Sequence, residues 1–318
     1  CANYIISSGA AGYSGKKLGF IMKPVFGVNG AGAVALIMGI ISGYPAGAAV
    51  TCRLYREKLI NRGEALRLLT FTNNPGPLFI IGAVGTAILF NAKAGYILWF
   101  SNFLSALLTG IIMRFTVKND YYISEAPKSS GYKKNAVTEA AMSMLSLCGY
   151  VVFFSVILAF AKDAGFIGFL TGLLTKMGFS EINTLFISQG FFELTTAVYK
   201  CSGASLPFIS AILSWGGLSV LLQTAGIVKD SELPLNSYLS GKIACSLLSL
   251  IICNIFLKFA NYSSPVFECS INPSKLNFYF AYLFISILLS VLILLFFSTI
   301  SRITRNEKKD FRNNKISR

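Results

Sequence analysis

Few residues in this chain could do chemistry, and they stand in unusual places. Glu193 lies in GFFELTT, the only carboxylate well inside an apolar region. Thr72, Asn73 and Asn74 directly precede Pro75-Gly76-Pro77, and Ser214-Trp215-Gly216-Gly217 interrupts a second apolar run that continues to Ser219 and Gln223. A carboxylate inside a membrane costs about 2.5 to 3.5 kcal/mol on insertion scales, and such groups face pathways or partners. Glu193 therefore reads as a coupling site for a cation or proton, or as a gate that accepts hydrogen bonds from exposed backbone amides. The plainer alternative pairs it with Lys200 near the outer interface. Thr72 to Asn74 precede an apolar half-helix, where a positive helix end attracts a carboxylate. Thr195, Thr196, Ser214, Gly216, Ser219 and Gln223 are the matching candidates in the second half of the chain. Gly76, Gly216 and Gly217 serve backbone geometry first and ligand contact through their amides second.

What is missing narrows the classes. The 318 residues contain no His, which removes Ser-His-Asp and Cys-His catalysis, HExxH zinc sites and His proton relays. The seven cysteines form no CxxC pair and, without His, no zinc ligand set, so no cofactor is expected. With 54% apolar and 13% charged residues the composition is that of a membrane protein, not an enzyme. The net charge of +15 is then a question of topology, and nucleic acid is not an expected partner. The lipid bilayer is.

The elements that must hold these residues follow from charge-free runs. Residues 94–113, 140–161, 236–257 (charge-free only from 243) and 277–301 read as plain spanning helices of about 20 residues. Three other runs are broken. Residues 31–42 supply about 18 Å of helix before Gly43-Tyr44-Pro45-Ala46-Gly47 stops them, too little to cross a bilayer. Two prolines in three residues end any helix arriving at Thr72, and Gly216-Gly217 breaks 201–228. Irregular backbone at membrane depth is tolerated only where protein or a water-filled cavity satisfies it, so the breaks point inward.

Charge then sets sidedness. Residues 1–30, 51–69, 114–139 and 301–318 carry 20 bases and 7 acids, thirteen of the net +15, and should share the cytoplasmic side. Residues 31–50 must accordingly enter and return, as a re-entrant hairpin whose tip is Gly43, Tyr44, Pro45 and Gly47. Arg62 to Phe71 is amphipathic enough to lie at the interface. Residues 182–200 remain as a second hairpin, entered from the opposite side. The order hairpin, broken helix, plain helix thus occurs twice with reversed orientation, the plan of secondary transporters, whose substrate sits where half-helix ends meet.

The expected fold is all-α: a polytopic membrane protein of two inverted repeats, each a re-entrant hairpin, a broken helix and a spanning helix. Its parts are an N-terminal cytoplasmic segment at 1–30, a first repeat at 31–115, a cytoplasmic loop at 116–139, and a connecting helix with an interfacial segment at 140–181. A second repeat at 182–260, a last helix at 276–301 and a basic tail at 302–318 complete it. Cys1 in place of an initiator Met leads to the expectation of further helices upstream.

Three motifs also carry a resemblance. Gly-Tyr-Pro-x-Gly-Ala at 43–48, Thr-Asn-Asn-x-Gly-Pro-Leu-Phe-Ile at 72–80 and Ser-Trp-Gly-Gly-Leu-Ser-Val at 214–220 resemble the YlbJ (SpoVV) family of sporulation integral membrane proteins. That family is grouped with nucleoside-recognition, or Gate, membrane proteins and is similar to concentrative nucleoside transporters. The resemblance spans about residues 20 to 260. It implies a carrier of a small anionic substrate, dipicolinate supplied to the developing spore, working from the outer forespore membrane. A nucleoside-type carrier and a non-transporting scaffold needed for spore formation are the competing expectations.

Overall fold

The computed structural model describes residues 10–117, 136–199 and 203–259. The expected helix at 277–301, the tail, most of the loop at 116–139 and Lys200 lie outside them. The described residues form helices and their connections, with no strand among them.

The chain enters through α1 (Ala10–Phe26), a helix that charge counting did not anticipate. α2 (Gly32–Ser42) and α3 (Ala46–Arg56) then pack on each other as a hairpin, divided at Gly43, Tyr44 and Pro45 as the sequence requires. α4 (Arg62–Phe71) follows a capping box in which Asn61 and Glu64 satisfy each other's backbone amides. It is not an interfacial helix. Eight of its ten residues are buried, and Arg67 is satisfied by the carbonyls of Gly27 (2.7 Å) and Val117 (3.1 Å). A guanidinium matched by carbonyl oxygens can enter a packed helix, which removes the basis for reading this segment as amphipathic. The same contacts, with the amide of Asn29 donating to Glu64 (2.8 Å), bring the ends of three basic segments together.

After Thr72–Pro77 the chain resumes as α5 (Leu78–Ile88), a π-helix, and turns into the long α6 (Ala92–Thr116). Gly85 and Gly95 face each other where α5 and α6 touch, and a side chain at Gly85 would collide with the Gly95 backbone. α7 (Ala136–Asp163) leads into α8 (Phe166–Lys176), its Val152–Asp163 portion meeting α8 at 71°. α9 (Glu181–Phe192) and α10 (Leu194–Tyr199) form a second packed pair, divided at Glu193. α11 (Leu206–Trp215) and α12 (Gly217–Lys229) are one run broken at Gly216, and α13 (Asn236–Phe259) is long and unbroken. By length and apolarity, Ala92–Thr116, Leu206–Lys229 and Asn236–Phe259 can each cross a bilayer.

The core is made by α4, α6, α11 and α13, in which α6 and α13 pack on each other and each on both α4 and α11. Two of these are first halves of broken helices and two are the long helices that follow. The element order of α2 to α6 recurs in α9 to α13, with α4 the counterpart of α11. The cross-contacts recur as well: α12 packs on α3, and α5 packs on α10. Where α6, α11 and α13 meet runs a seam of small polar residues. Ser105 meets Cys245 at 3.3 Å, Ser210 meets Ser249, and Asn102 donates to Ser210 at 3.2 Å. Small residues and interhelical hydrogen bonds of this kind hold membrane helices together where no hydrophobic driving force acts between them.

Candidate functional site: the junction of two helix breaks

The first hairpin tip reaches both breaks. Gly43 has φ +76°, and a side chain there would come within 2.6 Å of the Gly76 nitrogen, so tip and first break are in van der Waals contact. Gly47 lies directly against the Thr72 carbonyl, with no room for a methyl group. Tyr44, next along the tip, donates its hydroxyl to the Leu213 carbonyl at 2.9 Å, one turn before the second break. The carbonyls at a helix C-terminus have no intrahelical partner, and Tyr44 satisfies one of them. Pro45 is the N-cap of α3, and its carbonyl accepts from the Ala49 amide at 3.0 Å.

Thr72, Asn73 and Asn74 are buried, at 1%, 1% and 8% exposure, but they finish α4 and do not begin α5. Thr72 is the C-cap, its amide and hydroxyl both donating to Leu68 O. Asn74 donates to Phe71 O. Three residues, two of them Pro, separate Asn74 from Leu78, which places these side chains at the negative end of one helix and away from the positive end of the next. Asn73 points across the junction and donates to Thr224 (3.0 Å) on α12 and to Tyr238 (3.2 Å) on α13. Its Oδ1 is buried without a partner.

The second break is a single residue. Gly216 has φ +83°, a left-handed conformation that L side chains rarely adopt, and its amide closes α11 on Ile212 O at 2.9 Å. Ser214 is fully buried and donates to Asn102 Oδ1 at 2.6 Å. Ser219 and Gln223 are buried on α12. Trp215 stacks on Phe191 with 5.7 Å between ring centroids and donates to Phe191 O at 3.2 Å, so it joins the second hairpin to the core.

Glu193 forms the tip of that second hairpin and is 1% exposed. Its carboxylate accepts from the Thr195 amide (2.9 Å), the Thr195 hydroxyl and the Thr196 amide. It thus caps α10 through the backbone amides of its own hairpin. Gly217 lies against the backbone of Phe192 and Leu194, which sets this tip beside the second break. The predicted residues therefore fall into two groups. Gly43, Tyr44, Asn73, Asn74, Gly76, Ser214 and Gly216 gather at the junction, whereas Glu193, Thr195 and Thr196 form a cluster of their own.

At the centre of the first group lies Lys242, a residue that the sequence pattern did not single out. It is 2% exposed. Its ammonium donates to Ser214 O (3.1 Å) and, at 3.4 Å, to Asn74 Oδ1, and it sits over the rings of Tyr44 (5.3 Å) and Tyr238 (5.8 Å). Both breaks and the first tip thus contribute to its surroundings. Among the described residues no carboxylate forms an ion pair with it. The signal was available: Lys242 is the seventh residue of a spanning helix, about 9 Å from its start, too deep for an end anchor. A groove of about 660 Å³ between α8 and α9, lined among others by Lys162, Lys176, Glu181 and Gln189, contains none of the predicted site residues.

Long apolar helices, one of them broken at Gly216 in the buried interior, define an all-helical integral membrane protein. The chain is 29% identical over 273 residues to "Sporulation integral membrane protein YlbJ" of Bacillus subtilis (strain 168), a match that takes in 75% of this chain and 67% of that protein. This similarity supports the YlbJ family, the one that the sequence motifs resemble. No family model matches it, and no solved structure does.

Proposed function

We propose that this protein is a carrier that moves a small anionic metabolite across a membrane of a sporulating cell, by alternating access at the junction of its helix breaks. One observation carries the reading: the first hairpin tip is hydrogen-bonded to the second helix break through Tyr44 and Leu213, so the irregular backbone of both halves converges on one buried place. A scaffold has no need of such a place, whereas a carrier must present its polar site to one side and then the other. The recurring order of elements, with α3 on α12 and α10 on α5, supports two repeats of opposite membrane orientation that rock about the junction. With 1–30, 51–69 and 301–318 on the cytoplasmic face, the C-terminus is cytoplasmic.

By family resemblance the substrate is dipicolinate and the membrane is the outer forespore membrane. Glu193, holding the second tip through the Thr195 and Thr196 amides, is the element that a coupling proton or cation would release. The test is flux into proteoliposomes that contain the full chain. Dipicolinate uptake above empty liposomes supports the reading. Uptake of uridine with none of dipicolinate would reassign the substrate to a nucleoside, and movement of neither, with inserted and folded protein, would overturn the carrier.

A further inference from the structure

We infer that Lys242 is the anion-binding residue of the junction and takes one carboxylate of the substrate. The inference rests on the carrier reading for its biological meaning, but its argument is chemical.

An ammonium has three N–H groups to place. Around Lys242 they find a backbone carbonyl, Ser214 O, at good distance, and an amide oxygen, Asn74 Oδ1, at the long limit of 3.4 Å. Both are neutral. Two tyrosine rings flank the charge without balancing it. The Cys245 thiol nearby donates to the same Asn74 Oδ1 and so adds no negative charge. A buried cation among neutral acceptors, a thiol and aromatic faces is a site short of one negative charge. The neighbouring polar groups cannot play the same part. The Asn74 amide is committed to Phe71 O, the Tyr44 hydroxyl to Leu213 O, and the Asn73 amide to Thr224 and Tyr238. Of these groups, Lys242 is the one that has both a positive charge and an N–H to give an incoming anion.

The charge count selects the ligand class. A single ammonium, with no second base in contact, matches one singly charged oxyanion and so favours a carboxylate over a phosphate dianion. The carboxylate takes the place of Asn74 Oδ1, the weaker of the two hydrogen-bonded partners. The two tyrosine faces near the ammonium suit a flat body behind the carboxylate. Tyr44 belongs to the hairpin tip and Tyr238 to α13, so withdrawal of the tip uncovers the ammonium on one side only.

The experiment measures binding, not flux. Full-length protein in detergent is titrated with labelled dipicolinate, and unlabelled compounds compete: the corresponding neutral diamide, inorganic phosphate and uridine. The expected result is displacement by unlabelled dipicolinate at least 100-fold more effective than by the diamide or by phosphate. Lys242→Met should weaken binding at least 100-fold, and Lys242→Arg by less than 10-fold. Competition by the diamide or phosphate within 10-fold of dipicolinate would overturn the inference on the unaltered protein, with no variant involved. Normal binding by folded Lys242→Met would overturn it too, and would leave Lys242 as a cap on the α11 carbonyls. Binding that depends on Lys242 without any liposome flux would keep the inference and remove the carrier. Flux that survives Lys242→Met would do the reverse.

Discussion

The two helix breaks solve one problem in different ways. In the first, six residues from Thr72 to Pro77 separate α4 from a π-helix, and the side chains there close the end of α4 or reach across to α12 and α13. In the second, Gly216 alone separates α11 from α12, and the carbonyls left over at the end of α11 are met from outside, by Tyr44 and Lys242. The first break is satisfied largely by its own side chains and the second by other elements. A break whose carbonyls depend on a hairpin tip and on a charged side chain from other elements is the one that depends on how those elements pack. The hairpin tips differ in the same sense. The first tip is held across the molecule, whereas the second is held by Glu193 within its own hairpin.

The glycines test this asymmetry most severely. A methyl group at Gly47 would strike the Thr72 backbone carbonyl, while one at Gly190 would meet side chains alone, Ile212 at 2.5 Å and Ala197 at 3.3 Å. Gly47→Ala should therefore cost about 3 kcal/mol or more and Gly190→Ala about 1 kcal/mol, read as thermal unfolding in detergent. Equal losses would mean that the two hairpins are held alike.

Removing the second cap comes next. Glu193→Ala discards three charge-assisted hydrogen bonds and should cost about 2 kcal/mol, whereas Glu193→Gln, which keeps one acceptor, should cost about 1 kcal/mol. Measured beside flux, the Gln variant separates the two roles of this residue. Unchanged flux per folded protein leaves Glu193 as a cap, and a fall in flux with little loss of stability makes it part of coupling.

Asn73→Ala should lose about 1 to 2 kcal/mol, and less if Tyr238→Phe has been introduced first, because the two side chains share a hydrogen bond. Additive losses would show that the first break does not lean on α13. The smallest effect is expected from Tyr44→Phe, about 1 kcal/mol, since the ring and its contact with Lys242 survive and only the bond to Leu213 O is lost. Its flux should change more than its stability does, if the tip is the moving part.

Much of this arrangement is legible in the chain because breaks are local. Gly43-Tyr44-Pro45, Asn73 to Pro77 and Gly216-Gly217 announce themselves by residue type, and the structure divides its helices at all three. The division of the second hairpin at Glu193 was less visible, since GFFELTT contains neither Gly nor Pro at the turn itself. Arg62 to Phe71 misled for the opposite reason. Its charges suggest a surface, but Arg67 reaches carbonyls 40 and 50 residues away, and no local pattern reports that. Thr72 to Asn74 likewise adjoin both helices in sequence, and only backbone geometry assigns them to the end of α4.

By itself the sequence determined that this is a helical membrane protein with interrupted helices, because apolar length and the backbone limits of Pro and Gly act on neighbouring residues. Only the tertiary structure decided that the interruptions meet, and that a lysine near the start of α13 is drawn to that meeting point. The carbonyls exposed by one broken helix and the tip of a hairpin some 170 residues away come together through packing, and a charge can remain buried only where such groups converge on it.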